Sequence, residues 1–235
     1  MNMVLLHESD FITPSRVKIS GRRHAHIVKV LCAAKGDTLR VGRINHKKGT
    51  GDIREINGSY LEMDVTLGEK PPAALPLSLV LALPRPKMFK RMLGMLTSLG
   101  VKKIYLVNTW RVEKHFWKSP ALEKDRMMHQ IILGLEQAGD TLMPEIIVKR
   151  FFTPFVRDEL PEIADDKLCL TAHPRSEFSC PRNVKTDTML ALGPEGGFID
   201  IEIASLEEAG FKSVSLGERI LRTETALPVL ISRLF

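Results

Sequence analysis

Residues 188–197 read TMLALGPEGG and residues 213–226 read SVSLGERILRTETA, and the fold of the chain turns on these two stretches. Thr188 to Leu192 is a short apolar run of the kind that forms a buried strand. Gly193-Pro194-Glu195-Gly196-Gly197 then breaks it with three glycines, which tolerate positive φ and let a ligand approach bare backbone. A second apolar run, Ser213 to Leu216, ends in Gly217 and leads through Glu218 to Thr225 into a closing apolar helix, Ala226 to Phe235. Ligands of open α/β sheets sit beyond the carboxyl ends of strands, so two unusual loops at two strand ends predict two walls of one pocket. Either loop alone reads equally well as a turn. The pair is far more specific.

Working outward, the period predicts an α/β unit. Leu77 to Leu83 reads as a strand and Lys87 to Leu99 as a helix, with Met88, Met92, Met95, Leu96 and Leu99 on one side. Gly100 is placed as its C-cap, and Lys102 to Asn108 reads as the next strand. Strand, helix, strand implies a largely parallel sheet. Helices are expected near 122–138, 155–164 and 200–209, and strands at 146–152 and 168–171. Neither an early G-x-G-x-x-G nor a G-x-x-x-x-G-K-[ST] is present, which disfavours nicotinamide and nucleoside-triphosphate enzymes. Before Gly68-Glu69-Lys70-Pro71-Pro72, apolar and polar residues alternate between tight turns at Gly36-Asp37, Lys48-Gly49-Thr50-Gly51 and Asn57-Gly58. That pattern predicts a small β-barrel over 1–70, a stiff proline linker, and a second domain over 71–235.

The 235 residues are 44% hydrophobic, enough for a real core. No apolar run approaches the roughly 20 residues needed to cross a bilayer, and Met1 to Asp10 lacks the marks of a signal peptide, so a soluble cytoplasmic protein is expected. Cys32, Cys169 and Cys180 are widely spaced, and His24-Ala25-His26 does not share a helix face; neither a disulfide framework nor a metal site is expected. The net charge of +6 is unevenly distributed. Residues 84–118 hold 9 Lys and Arg against a single acid, whereas 119–235 hold 13 against 19. A basic middle and an acidic rear suggest a polyanionic partner held on one face. Arg22, Arg23 and Lys29 on a short basic helix, with Arg85, Lys87, Lys90, Arg91, Arg111 and Lys114, are candidates for phosphate contacts.

Leu192-Gly193-Pro194-Glu195-Gly196-Gly197, Leu216-Gly217 and Ile220-Leu221-Arg222-Thr223-Glu224-Thr225-Ala226 resemble a known family. It is the RsmE-type 16S rRNA (uracil-1498-N3)-methyltransferases of the SPOUT, or trefoil-knotted, superfamily. The likeness is residue by residue in the last third, clear from the linker onward and loose in the N-terminal part. It implies a PUA-like RNA-positioning barrel, a knotted domain that binds S-adenosylmethionine, a homodimer, and 16S rRNA or the small ribosomal subunit as partner. It also implies that cofactor contacts come from Leu170, Thr171, Ala172 and His173, from Leu192, Gly193, Pro194, Gly196 and Gly197, and from Leu216, Gly217, Arg219, Ile220, Leu221 and Thr223.

Uridine N3 carries a proton and is a poor nucleophile until it leaves, so the site must favour the uridinate. Arg222 is the candidate cation, its backbone expected to be held by Thr223 or Thr225 capping the final helix. Glu195 orients the base or accepts a proton, or else caps backbone N–H groups nearby. One position departs from the family pattern. Where members carry an arginine three residues after Glu-Gln, this chain has Glu136-Gln137-Ala138-Gly139-Asp140. Either Arg111 or Lys114 supplies that contact, or the substrate is another RNA. A knotted RNA-binding assembly factor without methyl transfer is the alternative from a different class.

Overall fold

The computed structural model describes residues 2–235. The chain divides into two compact units, one formed by residues up to 73 together with 131–143, the other by 74–130 together with 144–235.

The first unit is a curled, mixed six-stranded sheet. Its strands are β1 (Val4–Leu6), β2 (Phe11–Thr13), β3 (Arg16–Ser20), β4 (Thr38–Arg43), β5 (Lys48–Ile56) and β6 (Tyr60–Glu69), in the order β1-β4-β5-β6-β3-β2. β1 and β4 are parallel and the other pairs antiparallel. Alternation decides which face is buried: Val17 and Ile19 on β3 and Leu61, Met63 and Val65 on β6 point inward, meeting Ile27 from α1 (Gly21–Lys29). Residues 131–143 complete the unit, since the Met3 and Asn45 N–H groups donate to the Glu136 and Thr141 carbonyls at 3.2 and 2.8 Å.

Charges in this unit are tied down in a way the sequence does not announce. Arg23 donates to both oxygens of Asp10, at 2.5 and 2.7 Å, and to the Leu5 carbonyl at 2.6 Å. Its side chain is 14% exposed. The expectation that Arg23 meets RNA phosphate is therefore corrected: it is an internal strut of the sheet. Arg22 is more open but donates to both oxygens of the buried Glu136 carboxylate, at 3.0 and 3.1 Å. Lys29 is exposed and has no ion pair among the described residues. Burial, followed by the Arg23 charge, holds His7 below the ordinary imidazole value. The unfolded chain takes up the proton first, so acidification below that ordinary value works against this unit.

Asp10→Ala would strand the Arg23 guanidinium, a change expected to cost roughly 3–5 kcal/mol. Urea unfolding followed by circular dichroism checks it. Lys29→Ala, at an exposed helix end, should stay within about 0.5 kcal/mol.

The second unit carries a six-stranded parallel sheet: β7 (Leu77–Ala82), β8 (Lys103–Val107), β9 (Glu145–Lys149), β10 (Leu168–Ala172), β11 (Thr188–Leu192) and β12 (Lys212–Val214). The order is β12-β10-β11-β7-β8-β9. β11 is buried along its whole length, as a central parallel strand must be when both faces are covered. α2 (Pro86–Ser98) starts with proline in its first turn and buries Phe89, Met92, Leu93 and Leu96. The stripe is thus rotated from the expected methionine face, and Met88 and Met95 are only half buried. α3 (Lys124–Ala138) runs to Gly139, whose φ of 67° ends it. A helical stretch follows β9, made of α4 (Phe152–Pro154), a π turn over Phe155–Glu159, and α5 (Leu160–Ile163). α6 (Asp200–Glu208) joins β11 to β12, and α7 (Thr223–Leu234) closes the chain. α7 begins at Thr223 rather than Ala226, because Arg222 occupies the N-cap with extended backbone (φ −67°, ψ 151°). The two threonines fall inside its first turn, so neither caps it.

Candidate active site

Chain segments gather beyond the carboxyl ends of β10, β11 and β12 around a cavity of ≈ 280 Å³. They are 172–175, 192–198, 214–217 and 219–221, with Thr223 from α7 and Arg111 from the segment after β8. Small-molecule sites span roughly 300–1,000 Å³, so this one falls just below that range. The walls are laced by backbone. His173 N–H donates to the Val214 carbonyl at 2.9 Å, Cys180 N–H to Ser215 at 2.8 Å, and Ser215 N–H to Phe178 at 2.8 Å. The Ser176 hydroxyl adds a bond to the Ser213 carbonyl at 2.7 Å. Further back, the N–H groups of Asn183 and Val184 donate to the carbonyls of Arg233 and Leu234 at 3.3 and 2.6 Å, lacing 183–184 over the end of α7.

The glycine loop folds so tightly that its own backbone leaves no room for a Cβ at Gly193. A Cβ on Gly193 would lie 2.8 Å from the backbone nitrogen of Phe198 and 3.0 Å from the Gly197 carbonyl carbon. Gly197 has φ +74°, and its N–H closes a turn onto the Pro194 carbonyl at 2.8 Å. Arg111 lies along this loop: its guanidinium donates to the Gly196 carbonyl, and its Cδ would be 2.9 Å from a Cβ on Gly196. Glu195 Oε1 accepts the N–H of Arg85, the N-cap residue of α2, at 3.0 Å. The capping reading of Glu195 thus has a specific partner, 110 residues away in the chain.

Glu202 is a positioning residue behind the site that the sequence does not announce. Its carboxylate is buried and accepts two backbone donors, Ile199 N–H at 3.0 Å and Trp110 N–H at 2.7 Å. It therefore ties the segment carrying Arg111 to the start of α6. A serine or threonine three residues before Glu202 would have signalled a capping box, but Ile199 occupies that position.

Ala172, His173, Leu192, Gly193, Pro194, Gly196, Gly197, Leu216, Gly217, Arg219, Ile220, Leu221 and Thr223 all line the cavity, as does Glu195. Leu170 and Thr171 do not; both are buried within β10, and the Thr171 hydroxyl has no partner among the described residues. Arg222 is exposed and is not part of the wall, although its neighbours Leu221 and Thr223 are. Arg175 and Asp200 line the cavity without having been anticipated, so cations from Arg111, Arg175 and Arg219 share it with carboxylates from Glu195 and Asp200. Arg85, Lys87, Lys90, Arg91 and Lys114 are exposed and free of ion pairs among the described residues. Asp140, in the first unit, is buried and accepts the Leu142 N–H at 2.9 Å. Among the described residues there is no cluster of three or more His, Cys, Asp or Glu side chains that could hold a metal ion.

The family model described as RNA methyltransferase domain matches residues 71–235. A relative from Treponema pallidum, called ribosomal RNA small subunit methyltransferase E, is 32% identical over 96% of this chain and 87% of its own length. A protein of the same name from Rickettsia conorii is 28% identical over 93% of this chain and 89% of its own. Among solved structures, a putative methyltransferase from Legionella pneumophila in complex with its bound cofactor SAM has a TM-score of 0.73 at 27% identity, covering 98% of this chain and 97% of that one. A ribosomal RNA small subunit methyltransferase E from Neisseria gonorrhoeae, at 21% identity, shares the fold with a TM-score of 0.76, covering 98% and 95%.

Proposed function

This chain belongs to the RNA methyltransferase domain family that includes the ribosomal RNA small subunit methyltransferases E, and from that membership we propose that it transfers a methyl group from S-adenosylmethionine to N3 of a uridine in 16S rRNA. By the same resemblance the uridine is the one numbered 1498. The observation that carries the reading is the cavity beyond β10, β11 and β12, built from three strand-end loops around Gly193. Its residues fit the cofactor. The 192–198 loop lines the cavity with glycine-rich backbone, and its peptide groups can read an adenine edge. Arg111, Arg175 and Arg219 offer partners to a carboxylate, and Asp200 and Glu195 to an ammonium or sulfonium. When bound, the cofactor supplies a methyl group made electrophilic by the positive sulfur.

The chain's own residues act on the acceptor. Arg222 faces the negative charge that develops on the uracil ring as N3 loses its proton, and a guanidinium can pair with a carbonyl oxygen there. Glu195, held by one oxygen to Arg85, orients the base or receives the proton through the other. Calorimetry with S-adenosylmethionine, then mapping of methylated bases in 16S rRNA from a deletion strain, tests the reading. RNA binding without cofactor binding would point instead to an assembly factor, and a modified base elsewhere to a different RNA.

A PUA-like barrel over 1–70 is supported by the curled mixed sheet around Val17, Ile19, Leu61 and Met63. A trefoil knot in the last third is supported by the strand order, with β12 outside β10, and by the lacing of 183–184 over α7. Among the described residues no helix is long and apolar enough to cross a membrane, and we assign the protein to the cytoplasm with its ribosomal substrate.

RNA contacts are assigned to Lys29 in the first unit and to Arg85, Lys87, Lys90, Arg91, Arg111 and Lys114 in the second. Neutralising any one of them except Arg111, which also holds the glycine loop, should weaken binding uniformly across RNA sequences and flatten the log–log salt slope by about one per lost phosphate contact. Unchanged affinity after several such changes would return the cluster to an ordinary solvated surface. A homodimer is also proposed. Leu230, Ile231 and Leu234 are already buried inside their own unit, which leaves exposed Val229 and half-buried Phe235 for a second copy. Sedimentation at micromolar concentration should give twice the chain mass, and an active monomer would contradict it.

A further inference from the structure

We propose that Trp110 is a stacking platform for the RNA base flanking the target uridine, a contact that presents the target to the cavity. The proposal rests on the reading of the chain as an RNA methyltransferase. Trp110 is 81% exposed, and its indole N–H has no partner among the described residues. Tryptophan buries a large apolar face and normally pairs its N–H, so an indole open on both counts stands ready for a partner. Trp117, seven residues on, shows the satisfied case: its Nε1 donates to Asn108 Oδ1 at 2.7 Å, and the Arg150 guanidinium lies 5.7 Å from the ring centroid.

The platform is fixed at its backbone. Trp110 N–H is held by the buried Glu202 carboxylate at 2.7 Å, and Val112 N–H closes a turn onto the Thr109 carbonyl at 3.0 Å. The next residue, Arg111, reaches the Gly196 carbonyl and lines the cavity, whereas Trp110 does not. Trp110 is therefore one residue in sequence from the cavity wall and exposed. Exposed Arg111, Lys114 and Lys118 surround it in sequence with Glu113 as the single acid. A partner that is both anionic and flat-faced is an unpaired nucleic-acid base on its phosphate chain.

The chemistry supplies the need. Enzymes that act on a base must take it out of its stack, which leaves the neighbouring base without a stacking face. An exposed aromatic ring replaces that face without reading sequence. The target base has to meet the cofactor at the mouth of the cavity, and Trp110 is not among the residues that line it, so its partner is the flanking base.

The probe is a short single-stranded RNA centred on the uridine that the unaltered protein methylates. Trp110→Ala should raise KM for this RNA about tenfold, with kcat and cofactor affinity nearly unchanged, whereas Trp110→Phe should keep most of the affinity. RNA should quench the part of the emission that Trp110→Phe removes. Replacing the flanking nucleotide by an abasic one should abolish the difference between wild type and Trp110→Ala.

An unchanged KM in Trp110→Ala, or unquenched emission, overturns the proposal. So does a shift from dimer to monomer with RNA affinity per subunit intact, which would make Trp110 a subunit contact. If the wild type methylates RNA and Trp110→Ala is indistinguishable from it, this inference alone falls. If the wild type methylates neither free RNA nor small ribosomal subunits, the proposed function falls with it.

Discussion

Arg222→Ala is expected to lower the rate of methyl transfer about a hundredfold or more and to leave cofactor and RNA affinities nearly intact, the effect of removing one preorganised donor. The structure separates this side chain from the scaffold. Arg222 is exposed, its side chain makes no cap hydrogen bond, and its guanidinium has no ion pair among the described residues. Its backbone carbonyl accepts Thr225 N–H at 2.9 Å and Ala226 N–H at 2.7 Å, so α7 starts at the same place whatever the side chain. Leu221 and Thr223 on either side line the cavity, so the backbone at Arg222 runs along its wall. Raising the pH should partly rescue the variant, because bulk base then removes the N3 proton whose loss the cation favours. Single-turnover rates across pH, beside cofactor titration, read both effects. Loss of cofactor binding with no rescue would make Arg222 a strut and leave the catalytic cation unassigned.

The second large effect belongs to Gly193. Gly193→Ala places a methyl group 2.8 Å from the Phe198 nitrogen and 3.0 Å from the Gly197 carbonyl carbon, both backbone atoms that cannot swing aside. The loop must open to accept it, at the roughly 1–3 kcal/mol typical of overpacking, which corresponds to about 5- to 150-fold in cofactor affinity. Gly196→Ala is the contrast. Its methyl meets the Arg111 side chain at 2.9 Å, and that flexible group can move, so the loss should be several-fold smaller. Calorimetry of the two variants, with circular dichroism to show that both are folded, makes the comparison. Equal cofactor affinity in Gly193→Ala and wild type would remove the glycine loop from the cofactor site.

The sheet was legible where burial and backbone preference are written into consecutive residues. The apolar run at 188–192 became β11, and the abrupt Gly-Pro-Glu-Gly-Gly became a loop whose backbone admits no Cβ at its first position. Edges were less legible. The run from Ser213 to Leu216 extends beyond β12, which stops at Val214, because Ser215 instead pairs with the strap carrying Phe178 and Cys180. The start of α7 was misplaced because a helix N-cap is set by backbone geometry at Arg222, while the eye goes to threonines that cap well elsewhere.

What the sequence by itself determined is the set of parts: alternating strands before the prolines, strand and helix after them, and glycine loops late in the chain. These follow from local φ/ψ limits and from the periodicity of burial, and both are properties of neighbours along the chain. What only the tertiary structure decided is which distant groups meet. Arg23 reads like its basic neighbours until Asp10 and the Leu5 carbonyl close around it. Residues 131–143 join the first unit, where Glu136 meets Arg22 from 114 residues away. Glu202 binds Trp110 across 92 residues, and Arg111 reaches Gly196 across 85. The strand order that sets these meetings comes from packing both faces of the sheet at once, and a buried carboxylate or guanidinium takes whichever donor or acceptor that packing delivers.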